Sequence, residues 1–180
     1  MSTLVQVQDL CKTFDVSAPW LERTLERKPR QFVHAVDGVS FAIARGRTLA
    51  LVGESGCGKS TVARLLVGLY GPTRGSVHFD GQETGPLLKS AEAPRLRRRM
   101  QMIFQDPYAS LNPRWRVRDI VAEPLREHGI LSDRGALQAR VGELLQQVGL
   151  AAADAGKVPP PFSGGQRQRI AIARALATQP

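Results

Sequence analysis

Apolar and polar residues alternate from Leu4 to Leu10, and again over Val39-Ser40-Phe41-Ala42-Ile43. A period of two turns one face to a core and the other to solvent, so both stretches predict half-buried strands. Thr48-Leu49-Ala50-Leu51-Val52 is nearly continuous apolar sequence, the pattern of a parallel strand covered on both faces. Val62, Leu65, Leu66 and Leu69 then recur at helical spacing until Gly71-Pro72 ends the run. Val77-His78-Phe79-Asp80-Gly81 predicts a short strand with a turn, and Met100-Gln101-Met102-Ile103-Phe104 a further strand. After Asn112-Pro113 the period becomes helical. Val117, Ile120, Val121 and Leu125 form one stripe; Leu137, Val141, Leu144, Leu145 and Val148 form a second, closed by Gly149. These stripes most simply bury against one another. Pro159-Pro160-Pro161 predicts a stiff, extended stretch before a last helix pattern from Ile170 to Leu176.

Between the first two strands runs a polar, basic stretch from Asp15 to His34. It is expected to be an extended surface loop. Trp20, Leu21, Thr24 and Leu25 would line one side of a short helix in the alternative, a partner contact.

Composition bounds the picture without deciding it. The 180 residues, 42% of them hydrophobic, suit one domain with a possible subdomain and can bury a core. No apolar run approaches a membrane span, and the N-terminus lacks the basic start and apolar block of a signal peptide, so a cytosolic location is expected. Cys11 and Cys57 have no metal-ligand spacing and are expected to be reduced thiols. The net charge of +9 fits nucleic acid, an anionic membrane surface, or neither. Its densest run, Arg95-Leu96-Arg97-Arg98-Arg99, reads as a solvated turn before a strand.

Chemistry enters at Gly53-Glu54-Ser55-Gly56-Cys57-Gly58-Lys59-Ser60-Thr61, which fits G-x-x-x-x-G-K-[ST] between the apolar strand pattern and the helix pattern. Glycines let the backbone turn tightly and approach a ligand without a Cβ in the way, so successive N–H groups converge on phosphate oxygens. The helix that begins near Lys59 adds its positive dipole end. Lys59 would reach the β- and γ-phosphates, and the Ser60 hydroxyl would hold Mg²⁺. A second glycine motif, Ser163-Gly164-Gly165-Gln166, opens the last helix pattern, with Ser163 as its N-cap and the helix N-terminus left open to an anion.

A phosphate loop followed by a strand, a helical insert and Ser163-Gly164-Gly165-Gln166 resembles the ABC-type ATPases over essentially the whole chain. Phe104-Gln105-Asp106-Pro107-Tyr108-Ala109-Ser110-Leu111-Asn112-Pro113-Arg114 looks like the glutamine loop of the oligopeptide/dipeptide (peptide/nickel) importer branch, as does the phosphate loop with its cysteine. The basic stretch inserted before Ala35-Val36-Asp37-Gly38-Val39 also suits that branch. The resemblance implies an α/β fold: a P-loop NTPase core of ABC type with an N-terminal antiparallel β subdomain and a helical insert. It divides the chain into an antiparallel β region at 1–47 with the basic insert at 15–34, a P-loop core at 48–106, a helical subdomain at 107–162, and the signature motif and helix at 163–180.

The same resemblance implies site residues and partners. Gln105 would approach Mg²⁺ and the attacking water, and Phe14 would stack on the adenine. Ser163, Gly164, Gly165 and Gln166 would face the γ-phosphate of ATP held by a second ATP-binding subunit, in a homo- or heterodimer. Membrane permease subunits would dock on the chain, which would sit peripherally on the cytoplasmic face of the bacterial inner membrane. An external solute-binding protein would act indirectly. Nucleic acid is not an expected partner, although a soluble ABC ATPase acting on nucleic acid or ribosomes is the alternative class, and a non-functional fragment a third. A Mg²⁺-associated aspartate, a catalytic glutamate and a switch histidine are implied after the signature helix. None falls within residues 1–180, so this chain is expected to bind MgATP without efficient hydrolysis and to leave the apolar strand at 48–52 with an unpaired edge.

Overall fold

The computed structural model describes all residues except Met1, 27–28 and 107–109. The chain divides into two units, Met1–Ala93 and Pro94–Pro180.

The first unit is built on a four-stranded antiparallel sheet of order β2-β1-β3-β4, from β1 (Thr3–Asp15), β2 (Phe32–Ala44), β3 (Arg74–Phe79) and β4 (Gln82–Glu83). Val5 and Val7 are buried opposite Phe79 and Val77, as their alternation requires. The buried set then slips by one, to Leu10 and Cys11. The cause is a bulge: Asp9 takes φ 45°, its N–H turns to the Ser40 hydroxyl at 2.9 Å, and the ladder register shifts between Val7 and Leu10. Gly75 fills the position opposite, where a Cβ would overlap the Gln8 and Asp9 carbonyls.

Residues 15–34 are not the plain loop expected from their polarity. The β1–β2 ladder runs out to Asp15↔Phe32, and the connection carries a short helix, α1 (Trp20–Glu26). Trp20, Leu21 and Leu25 stand exposed on it, while the side chain of Thr24 lies outside the described set.

Two expected strands differ from the structure. Residues 48–52 and 100–104 join no ladder among the described residues, and Leu49, Leu51 and Val52 are 42%, 42% and 93% exposed. An apolar run gives a segment the tendency to pair, but a ladder needs a partner strand, and neither segment is paired with one among the described residues. The arginine run is also helical: α4 (Ala93–Arg99), preceded by the short α3 (Thr84–Leu87), buries Ala93 and Leu96 and leaves its arginines outward. Pro159–Pro161 make a turn closed by Phe162 N–H to the Pro159 carbonyl at 3.0 Å, not an extended stretch.

The second unit is helical, as the stripes predict. It contains α5 (Val117–Glu127), α6 (Arg134–Gln147), a 3₁₀ turn at Ala152–Gly156 and α7 (Gly164–Leu176). Asp133 caps α6 by accepting from Ala136 N–H at 2.8 Å. Gly149, at φ 73°, ends it in a Schellman motif, with Leu150 N–H to the Leu145 carbonyl and Gly149 N–H to the Gln146 carbonyl, both at 2.9 Å. Val121, Leu125, Leu144, Leu145 and Ile170 meet in one core, closed by the small Ala171 and Ala173 of α7. Leu144 has no exposed surface, so Leu144→Ala is expected to cost about 2–5 kcal/mol, read as a lower urea midpoint at unchanged slope.

Candidate functional site

The phosphate loop connects residues 48–52 to α2 (Lys59–Leu66). Val62 and Leu65 bury one face of α2, which fixes where its N-terminus points. Gly58 sits at the N-cap with φ 97° and ψ −2°, and Gly56 has φ 84°, a left-handed pair that curls the backbone into a concave turn. A Cβ on Gly58 would overlap the Ala35 carbonyl of β2, so the sheet itself holds the loop closed from behind. A Cβ on Gly53 would lie 2.7 Å from Cys57 Sγ. A loop this free of side chains fits a phosphate group, whose oxygens need N–H donors at close range.

Lys59 Nζ donates to the Gly53 carbonyl at 2.8 Å, the Glu54 carbonyl at 2.6 Å and Cys57 Sγ at 3.4 Å. The ammonium therefore spans the mouth of the loop, with all three of its donors in exposed bonds. Ser60 is exposed at the second position of α2. Glu54, Ser55 and Cys57 are exposed along the loop, and Thr61 is half-buried behind it.

Phe14 stands at the end of β1, paired with Val33 of β2. Its ring meets Tyr70 edge-on at 5.4 Å and 79°, and Lys12 Nζ lies 5.0 Å from its centroid while donating to the Gly71 carbonyl at 2.8 Å. Phe14 is thus part of an aromatic pair with a cation against it.

Gln105 is exposed in a bend. Pro107, Tyr108 and Ala109 of the glutamine-loop string lie outside the described residues. At the signature, Ser163 and Gln166 form a reciprocal capping box: Ser163 Oγ accepts from Gln166 N–H at 3.3 Å, and Gln166 Oε1 accepts from Ser163 N–H at 3.0 Å. Gly164 and Gly165 have open space where a Cβ would stand, and neither has a positive φ. Nothing within the described chain requires glycine there, and a helical glycine costs roughly 1 kcal/mol against alanine. The pair suits the close approach of something outside this chain.

A family model for the ABC transporter family matches residues 36–180. The chain belongs to that family. It is 45% identical over 178 residues to the oligopeptide transport ATP-binding protein AppF of Bacillus subtilis (strain 168), covering 99% of this chain and 52% of that protein. It is 47% identical over 180 residues to the di/tripeptide transport ATP-binding protein DppF of Pseudomonas aeruginosa (strain UCBPP-PA14), covering 100% of this chain and 53% of that protein. It superposes with a TM-score of 0.83 and 28% identity on the ATP-binding cassette MJ0796, solved as a dimeric post-hydrolysis state bound to ADP and Pi, covering 98% of this chain and 71% of that one. The chain spans about half the length of the curated relatives it matches. The α/β cassette fold, with its N-terminal antiparallel sheet and helical subdomain, is therefore the one expected from the sequence.

Within this ABC chain the structure adds residues that the sequence did not single out. On α7, Gln168 Nε2 lies 3.5 Å from the Phe104 carbonyl, and an Arg174 guanidinium N–H donates to the Ser110 carbonyl at 2.8 Å. The signature helix thus contacts the backbone at Phe104, next to Gln105, and at Ser110. Gln168 Oε1 is buried without a partner among the described residues. The helical period marks only which residues of α7 face inward, not which carbonyl they meet. Tyr70, which pairs with Phe14, belongs to no motif or period that would mark it.

Proposed function

We propose that this chain is the nucleotide-binding part of an ATP-binding subunit of an ABC importer for peptides or related solutes. The observation that carries it is the glycine loop closed against Ala35 and spanned by the Lys59 ammonium at the N-terminus of α2. In that reading the loop's N–H groups and Lys59 bind the β- and γ-phosphates of ATP, with Ser60 and Gln105 holding Mg²⁺. Bound Mg²⁺ supplies charge neutralisation between the phosphate oxygens. Phe14 takes the adenine. Gln168 and Arg174 of α7 hold the backbone at Phe104, beside Gln105, and at Ser110.

The signature half of the site addresses a second subunit. Gly164 and Gly165 at an open helix N-terminus are what a partner's γ-phosphate would need, and the dimeric cassette with ADP and Pi is a relative in which two copies assemble. The two peptide-transport relatives support permease subunits as the membrane partner, a solute-binding protein as the indirect one, and a peripheral position on the cytoplasmic face. Among the described residues no helix is long and apolar enough to cross a membrane.

Cys57 supplies the test. Its thiol is exposed and lies 3.4 Å from Lys59 Nζ, the ammonium that would meet the phosphates. Alkylation with iodoacetamide is expected to abolish nucleotide binding. MgATP at ten times its Kd should slow labelling about tenfold, because only about a tenth of the loops then stand open. Equal labelling rates with and without MgATP would overturn the assignment.

A further inference from the structure

Phe14 stands in β1 opposite Val33, and Val33 lies two residues along β2 from Ala35, whose carbonyl backs Gly58 of the phosphate loop. At about 3.4 Å per residue, the place of Phe14 in the sheet is about 7 Å along the strand from the loop. The rest of its setting comes from the segment that leaves α2. Thr73 N–H donates to the Cys11 carbonyl at 2.9 Å, Thr13 N–H to Thr73 Oγ1 at 3.0 Å and Lys12 Nζ to the Gly71 carbonyl at 2.8 Å, so the end of β1 is tied to the chain after the helix. Tyr70 lies inside that tied segment. Its N–H donates to the carbonyl of Arg64, in the last turn of α2, at 3.3 Å; its hydroxyl accepts from an Arg64 guanidinium N–H at 3.4 Å; and its ring meets Phe14 edge-on. We propose that Tyr70 is a positioning residue for the base of the nucleotide, acting through Phe14: it fixes the stacking ring to the same helix whose N-terminus holds the phosphates. The proposal rests on the reading of Phe14 as the adenine contact.

A half-buried phenylalanine at the end of a strand has side-chain torsions to order before a base can stack on it, and that ordering is subtracted from the affinity. Tyr70 and Lys12 remove the freedom beforehand. An edge-on aromatic contact on the ring, and an ammonium over it at 5.0 Å from the centroid, favour one orientation. The pair would be ordinary core if it were covered. Both rings are only half-buried, and the buried positions of β1 end at Cys11, before Phe14 is reached. A ring held in place yet left with open surface is what a stacking platform requires. The phosphates and the base are then held from the two ends of one rigid element: Lys59 begins α2, and the segment after Leu66 carries Tyr70. Tyr70 is the link in that arrangement that a substitution can break without touching the phosphate loop.

The test is isothermal titration of the 180-residue chain with MgATP and with magnesium tripolyphosphate, which offers the phosphates without a base. Tyr70→Ala is expected to weaken MgATP about threefold to tenfold, the size of one edge-on aromatic contact, and to leave tripolyphosphate within about twofold. Tyr70→Phe keeps the ring and should leave both affinities within about twofold, whereas Tyr70→Leu, which keeps bulk without an aromatic edge, should behave as Tyr70→Ala. Phe14→Ala should weaken MgATP at least as much as Tyr70→Ala does. Adding Tyr70→Ala to Phe14→Ala should then weaken it no further, because the effect of Tyr70 passes through that ring. A merely structural Tyr70 would weaken both ligands together. Equal weakening of the two ligands in Tyr70→Ala, an unchanged MgATP affinity in Tyr70→Ala, or a full further loss on the Phe14→Ala background would each overturn the proposal and leave the adenine assignment standing. If Phe14→Ala itself bound MgATP as the parent does, the adenine assignment would fall, and the proposal with it.

Discussion

Gly58→Ala is expected to remove nucleotide binding, by at least about a hundredfold in Kd, through backbone geometry alone. Two costs combine at this residue. Its φ of 97° lies where an L side chain is strained by roughly 1–2 kcal/mol. The added Cβ would also overlap the Ala35 carbonyl, and that oxygen belongs to β2, which is laddered to β1 and cannot swing aside as a flexible side chain would. The loop must therefore move off the sheet, carrying the first N–H groups of α2 away from the point on which they converge. Gly56→Ala is the internal control. Its φ of 84° brings the same kind of strain, but a Cβ there meets nothing within 4 Å, so a clearly smaller loss is expected. Isothermal titration with MgATP checks both, with far-UV circular dichroism confirming that the helices remain. If Gly58→Ala bound MgATP within about threefold of the parent, the close approach of loop and strand would not matter for the site.

What the sequence makes legible is what the chain settles locally. While the Asp133 cap at its start emerged with the structure, Gly149 closes α6 because a left-handed glycine acts on neighbouring backbone groups, and it can be read from residue type and spacing. The same holds for Ser163, although its reciprocal bonds with Gln166 need the structure to be seen. The apolar stripes of α5 and α6 name the helical core almost residue by residue. Relations set by distant parts of the chain escape such a reading. Alternation through Leu4–Leu10 gives no warning of the bulge at Asp9, because the Ser40 hydroxyl that receives its N–H lies 31 residues away. The apolar run at 48–52 shows a strand's composition without a ladder, since composition cannot supply the neighbour. Within the site the loop residues are legible as a motif. The Ala35 carbonyl that makes Gly58 obligatory and the Gln168 and Arg174 contacts around Gln105 are not, because they come from packing between elements.

Lys59→Ala separates the chemistry of the loop from its shape. The ammonium's bonds to the Gly53 and Glu54 carbonyls are exposed, so removing it returns those oxygens to water and should change stability by no more than about 0.5 kcal/mol. In the proposed site its bonds to phosphate would have no such substitute. Hydrogen bonds to a charged group contribute roughly 1.5–3 kcal/mol each, so losing two should cost about 3–6 kcal/mol of binding, a hundredfold to ten-thousandfold weaker Kd. Lys59→Arg should recover only part of that loss, because a planar fork cannot place its donors where a compact ammonium meets the Gly53 carbonyl, the Glu54 carbonyl and Cys57 Sγ within one turn. The expected signature is an unchanged melting temperature with MgATP affinity lost and MgATP protection of Cys57 gone. Gly58→Ala, in contrast, should disturb the loop even without ligand and raise the basal rate of Cys57 labelling. An unchanged ATP affinity in Lys59→Ala would mean that the ammonium braces the loop and does not hold phosphate, leaving the backbone N–H groups and the α2 dipole as the whole of the anion site.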